Sequence, residues 1–339
     1  MKRINFLLIA ISFIFPAFFV ACETDIDVTA EYKDITIVYG LLSRNDSVHY
    51  LRINKAFLGD GNVMEYVTNA DSSSYYDNLE VTLTETTSSG LSRELHFDTI
   101  QINDKEEGVF YGPKQVAYKS AFLIPGGDQD YTYNLKIRNK ITGKEVTSST
   151  QVVKNFEITA PRFGQPTIDF LTDNNFTIKW RSGKNGRRYE PFIRFWFQEV
   201  SIGNDTIDRY IDWKLGSVKS KNLNGGEEMT MPYRPTALYD ISRSLIPYKD
   251  GREAQVIARF VNKCEFTISV AGDELNTYME VNGPISGITQ DRPEYTNIEN
   301  GLGLLSSRFT KMISIPVGAP TEARFMDIEE LKFKDKLGN

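Results

Sequence analysis

Two cysteines and two histidines are all that 339 residues contain, and those shortages narrow the chemistry before any motif is read. Cys22 and Cys264 are too few for a disulfide framework, which needs several pairs. His49 and His96 are too few for a multi-histidine metal centre. No run of lysine and arginine occurs and the formal net charge is -6, so nucleic acid, whose binding needs a positive footprint, is set aside as a partner. Long apolar runs are also missing after residue 21. Cohesion must therefore come from core packing. A composition of 40% hydrophobic and 25% charged residues is enough for that, and 17 Tyr with 21 Phe favour strands.

The one long apolar run opens the chain. After Met1-Lys2-Arg3 it extends from Ile4 to Ala21, interrupted by Asn5, Ser12 and Pro16. A basic start, an apolar stretch and small residues before a cut site make a secretory signal peptide. The rival reading, a transmembrane anchor, needs about 20 apolar residues, and this run is slightly short with a proline inside. Phe19-Val20-Ala21-Cys22 resembles the lipobox of bacterial lipoproteins, although Phe19 stands where leucine is usual. That resemblance implies cleavage before Cys22 and a lipid on its sulfur. Each buried acyl CH₂ contributes about 0.8 kcal/mol, and one chain alone binds only reversibly, so stable anchoring takes more than one. Residues 1–21 are thus expected to be a lipoprotein signal peptide and 22–32 an acidic tether. The tether begins Glu23-Thr24-Asp25-Ile26-Asp27, similar to the surface-export signal of Bacteroidota lipoproteins, and also what a solvated linker looks like.

Beyond the tether the chain reads as strand after strand. Leu79, Val81 and Leu83 alternate with Glu80, Thr82 and Thr84, and Tyr133, Leu135 and Ile137 alternate with Asn134, Lys136 and Arg138. That period of two marks strands with one buried and one wet face. Residues 35–42, 48–57, 93–100, 114–124 and 145–153 are further candidates. Turn sequences such as Gly59-Asp60-Gly61-Asn62, Pro125-Gly126-Gly127-Asp128 and Thr142-Gly143 separate them. About seven short antiparallel strands predict an immunoglobulin-like β-sandwich over 33–155. Pro161, Gly164 and Pro166 mark a linker at 156–166. Strands resume at 176–180, 191–202, 206–215, 253–262 and 264–270, predicting a second β-sandwich domain over 167–330. One or two short helices should interrupt it, after Thr236 and after Asp273. Residues 331–339 are expected to be a charged tail.

Three features together resemble a known family: the acidic start after the lipobox, the early strand Ile37-Val38-Tyr39-Gly40-Leu41-Leu42, and the late segment Asn297-Ile298-Glu299-Asn300-Gly301-Leu302-Gly303. The chain is similar to a Bacteroidota outer-membrane lipoprotein family of unknown function, commonly encoded beside TonB-dependent receptors. The resemblance implies a two-domain, mainly β protein at the outer membrane, with a TonB-dependent receptor as partner. It brings no catalytic residues.

Few constellations of chemistry stand out. Gly301-Leu302-Gly303 lacks the helix that a dinucleotide-binding loop requires, so glycines permitting close backbone approach at a strand start are the better account. His49 shares the parity of Leu51 and Ile53 and reads as a hydrogen-bonded core histidine. His96 falls opposite Leu95 and Phe97 and reads as solvent-facing. A serine triad has no Gly-x-Ser-x-Gly elbow to support it. Asp104-Lys105-Glu106-Glu107 and Asp128-Gln129-Asp130 lack the spacing of a calcium loop and read as turns. The aromatics carry the one functional hint. Trp180, Trp196 and Trp213 lie on three successive predicted strands and are the candidate ligand contacts if exposed, with core packing the commoner use of such rings. Phe195 and Phe197 share one parity, Phe192 and Trp196 the other, so this strand is either central between two layers or presents an apolar patch.

The sequence therefore points to an accessory or binding lipoprotein without enzymatic activity, anchored at the outer membrane through Cys22 and serving a TonB-dependent nutrient transporter. Glycan or another nutrient is the expected ligand, and no cofactor is expected. An envelope glycan hydrolase using a carboxylate pair, or a purely structural surface lipoprotein, are the alternatives. Which face of the outer membrane the protein occupies stays open.

Overall fold

The computed structural model describes residues 35–56, 75, 78–102, 115–127, 129–203, 205–283 and 294–335. The expected signal peptide, Cys22 and the acidic tether lie outside the described residues, as do residues 59–62 and 104–107. The chain first runs through β1 (Ile35–Ser43), β2 (Val48–Ala56), β3 (Leu79–Thr87), β4 (Ser92–His96), β5 (Asp98–Ile102), β6 (Gln115–Ala121), β7 (Tyr131–Asn139) and β8 (Glu145–Gln151). There follow β9 (Ile158–Ala160), β10 (Phe176–Arg181), β11 (Arg188–Ser201), β12 (Thr206–Lys214), β13 (Val218–Lys219), β14 (Glu228–Tyr233) and helix α1 (Ala237–Leu245). The last elements are β15 (Val256–Ala271), α2 (Asp273–Val281), β16 (Ile298–Glu299), β17 (Gly301–Pro316) and α3 (Ala319–Met326).

The molecule is mainly β, as its alternating pattern requires. On β7 the residues Tyr133, Leu135 and Ile137 are buried while Asn134, Lys136 and Arg138 face solvent. Its neighbour β3 repeats the pattern with Leu79, Val81 and Leu83 inward, and the two strands pair antiparallel, Val81 opposite Ile137. A five-stranded sheet β16-β8-β7-β3-β4 and a three-stranded sheet β14-β10-β9 both accompany a nine-stranded sheet, whose main path is β12-β11-β15-β17-β1-β2-β6-β5. Two hydrophobic cores result. One gathers residues between Val38 and Val152 together with Ile298 and Leu305. The other runs from Val153 to Phe333. The division falls just after β8, between the adjacent residues Val152, in the first core, and Val153, in the second.

The long sheet crosses from one core to the other because β1 pairs parallel with β17, Thr36 opposite Gly301 through Ser43 opposite Arg308. The two glycines permit this approach. A Cβ on Gly301 would lie 2.7 Å from the carbonyl oxygen of Thr36, and one on Gly303, at φ +114°, would lie 2.0 Å from that of Val38. The expectation of close backbone approach at a strand start is met at both positions.

Among the described residues three α-helices interrupt the β structure, the two expected and a third, α3, which starts after Gly318 with a proline in its first turn, a place where the missing N–H costs nothing. The expected linker begins later than residue 156, because Phe156 and Ile158 are already core residues and β9 pairs with β10. The expected charged tail is partly core. Leu331 and Phe333 are buried, and the backbone there is bonded to β15 by Arg259 N–H to Lys332 O at 2.8 Å and Lys334 N–H to Arg259 O at 2.9 Å.

Arg259 holds that junction. It is 0% exposed and donates from Nε to Glu199 at 3.0 Å, from Nη2 to Glu199 at 3.0 Å and Glu253 at 2.7 Å, and from Nη1 to Glu253 at 2.8 Å and Leu331 O at 3.1 Å. Tyr248 Oη donates to the other oxygen of Glu199 at 2.8 Å. A buried cation with each N–H face occupied by carboxylate or carbonyl meets the condition under which such a charge is tolerated.

Candidate functional site

Strand β11 settles the choice left open by its two apolar faces. Ile193, Phe195 and Phe197 point into the core, and Phe192, Arg194 and Trp196 lie on the opposite, partly buried face. The register with β12 extends that outer face, since Arg194 stands opposite Asp212 and Trp196 opposite Tyr210. Ile193 stands opposite Trp213, which sends that indole inward, edge-on to Tyr233 at 5.6 Å. Trp180 is 1% exposed, packed 5.8 Å from the Tyr189 ring. Of the three candidate tryptophans, two follow the core-packing alternative. Trp180 is core and Trp213 is packed against it, because strand parity decides the face, and Trp196 alone lies outward.

What surrounds Trp196 is a cation held among rings. Arg194 makes a two-pronged bond to Asp212, Nε to Oδ1 at 2.7 Å and Nη2 to Oδ2 at 2.9 Å, a planar fit that orients the guanidinium. That guanidinium lies 3.9 Å from the Tyr210 ring centre and 5.8 Å from those of Phe192 and Trp196. Hydrogen bonding to Asp212 raises its already high pKa. Trp196 and Tyr210 are tilted against each other with centres 4.9 Å apart, and Lys263 Nζ lies 5.6 Å from the indole. Tyr210 is 49% exposed. From Trp196 to Phe192 the strip extends about 13 Å along the strand.

At its Phe192 end the strip meets a cavity of about 340 Å³ bordered by Arg188, Glu190, Lys214, Ser217 and Ser269. A second cavity of about 240 Å³ shares Arg188, Glu190 and Ser269 and continues to Leu41, Met279 and Arg308. The Arg188 to Glu190 ion pair, 2.7 Å, lies on the common border. Helix α2 covers the outer sheet face beyond, where Ser306 Oγ accepts from Leu275 N–H at 3.1 Å and donates to Glu274 Oε2 at 2.9 Å. Burial pushes the Glu274 carboxyl above its usual pKa. Glu274 and Asp273 also border a smaller polar cavity of about 190 Å³, with Thr132, Gln151 and Asn185.

The groups expected for other chemistries are placed elsewhere. Cys264 is fully buried, and burial drives its thiol far above the reactive range. His96 is exposed, 3.3 Å from Glu94. Asp130 is clamped by Lys154 at 2.7 Å and Lys184 at 2.6 Å, and those hydrogen bonds lower its pKa; its Asp128 neighbour lies outside the described residues. Among the described residues no group of three or more His, Cys, Asp or Glu side chains could hold a metal ion. No helix among them is long and apolar enough to cross a membrane.

No family model and no curated protein matches the chain. Among solved structures it is similar to the calcium-binding domain CBD12 of CALX1.1, at 10% identity over 83% of this chain and 99% of that one, with a TM-score of 0.17. A likeness that slight carries nothing about ligands.

His49 corrects a detail of the sequence reading. It is buried as its parity requires, and its ring stacks on Phe122 with centres 4.1 Å apart. Neither ring nitrogen, however, has a hydrogen bond of good geometry. Burial lowers its pKa, against upward pulls from Asp46 and the Phe122 backbone. The folded chain therefore resists a proton that the unfolded chain accepts near 6.5, so folding stability falls as pH drops below that value and levels off beneath the folded pKa. Thermal melts between pH 8 and 5 should show this loss in the wild type and a smaller one in His49→Phe. Parallel curves would remove the assignment.

Proposed function

We propose that this chain is a lipid-anchored binding protein of the outer membrane, which captures a glycan or similar nutrient on the outward face of β11 and β12 and serves a TonB-dependent transporter. The observation that carries the binding part is the outward strip of Phe192, Trp196 and Tyr210 around the Arg194–Asp212 pair. Flat rings stack on the apolar faces of sugar rings, and an oriented Arg–Asp pair supplies donors and acceptors for hydroxyls at the same height. Lipobox and family resemblance support the address and the transporter. Labelled palmitate is expected to enter the wild type and not Cys22→Ala.

A second reading, glycan hydrolysis, draws on Glu274, whose burial-raised pKa suits a general acid, beside Asp273, which pairs with Arg187 at 2.6 Å. A glycan array followed by a hydrolysis panel separates the two. Binding without turnover supports capture; turnover that disappears in Glu274→Gln supports hydrolysis and overturns the first reading.

A further inference from the structure

We infer that the cavity at the Phe192 end of the strip selects sugar residues that carry a carboxylate. The inference rests on the capture reading and names the ligand class for the same face.

Charge is the first ground. The chain as a whole carries a formal net charge of -6, a field that repels acidic ligands. This cavity runs against the trend, with Arg188 and Lys214 facing one carboxylate, Glu190. Arg188 Nε is engaged with Glu190 at 2.7 Å. Lys214 is exposed and makes no ion pair among the described residues. Elsewhere on the strip the cations are matched, Arg194 by Asp212 at 2.7 Å and Lys263 by Glu265 at 2.7 Å. The unmatched ammonium therefore sits where the Phe192 end of the strip opens into a cavity.

Shape is the second ground. Phe192 forms part of both the strip and the cavity wall, so one sugar ring can rest on the phenyl while its neighbour stacks toward Trp196. Ser217 and Ser269 place hydroxyls on the same wall. A ring carboxylate directed at Lys214 would meet the ammonium in a partly enclosed setting, where attraction exceeds that between fully solvated charges. A neutral sugar would leave that ammonium unmatched and gain stacking alone.

The test uses oligomers of galacturonate and of glucuronate, each beside its own methyl ester, which keeps the rings and removes the charge. Titrated into the wild-type protein at about 0.1 M salt, an acid is expected to bind about fivefold more tightly than its ester. Raising the salt to about 1 M, where screening acts within about 3 Å, should erase the difference. Lys214→Gln should bring the acid down to the ester and leave the ester unchanged, while Phe192→Ala should weaken both. Equal binding of acid and ester, or a preference that survives Lys214→Gln, overturns the inference and leaves capture of neutral glycans standing. Binding of neither by a protein that also binds nothing on the array overturns the capture reading itself.

Discussion

Gly303→Ala is expected to lower folding stability by about 3–5 kcal/mol, through one added methyl. At φ +114° the residue adopts a backbone that side chains disfavour, and its Cβ would meet the Val38 backbone, oxygen at 2.0 Å, carbon at 2.9 Å and nitrogen at 3.0 Å. No rotamer change relieves a clash with backbone. Relief requires β1 to leave β17, and that pairing is what carries one sheet across both cores. Gly203→Ala makes the comparison, since its Cβ would meet only the Asp205 side chain, at 3.4 Å. Denaturant titration of both should give a large loss for the first and a change within about 0.5 kcal/mol for the second. Similar losses would mean that the β1–β17 approach does not limit stability.

Arg259→Met should rank next, at about 3–5 kcal/mol near neutral pH, because it removes the closely bonded cation of Glu199 and Glu253 and leaves them only Arg209 and Lys332, each at 3.7 Å. The pH dependence distinguishes lost charge pairing from lost packing. In the wild type, burial works to raise the Glu253 pKa, but hydrogen bonds from Arg259 and from the Tyr248 N–H, with the charges of Arg259 and Lys332, hold it below the ordinary 4.5. A depressed carboxylate stabilises the fold above that ordinary value and ceases to as pH falls through the folded one. Without Arg259 the carboxylates gain by protonation, so the gap between variant and wild type should narrow as pH falls toward 4. A gap independent of pH would assign the loss to packing. Replacing all three residues, Glu199→Gln, Glu253→Gln and Arg259→Met, should recover part of it.

Both sites show where sequence patterns inform and where they stop. Alternation on β3 and β7 exposed their buried faces directly, because a strand with one wet side must repeat with period two. Gly301 and Gly303 announced close backbone approach, but not the strand approached. β1 and β17 lie at opposite ends of the chain, and local periodicity carries no information about distant partners. Leu331 and Phe333 were hidden by neighbours such as Glu330, Lys332 and Lys334, whose charge suggests a solvated tail. For α3 the sequence carries a start signal, Pro320 just after Gly318.

The same division holds for the candidate site. The parity of Phe192 and Trp196 against Phe195 and Phe197 was legible within one strand. Sorting the tryptophans was not, because Trp213 turns inward only through its register with Ile193 and Trp196 outward through its register with Tyr210. Arg194 carried no sequence signal as the centre of the strip, since Asp212 and Tyr210 reach it from the next strand. The cavity beside Phe192 draws Ser269 from β15, far along the chain.

The most direct test of capture on this face is a calorimetric titration of the oligosaccharide best bound on an array into wild type, Trp196→Ala and Tyr210→Ala. Both variants change residues outside the two cores, so their melting temperatures should stay near that of the wild type. The account predicts saturable binding by the wild type and a loss of roughly tenfold or more in each variant. Wild-type affinity in both variants, with the fold intact, would contradict it.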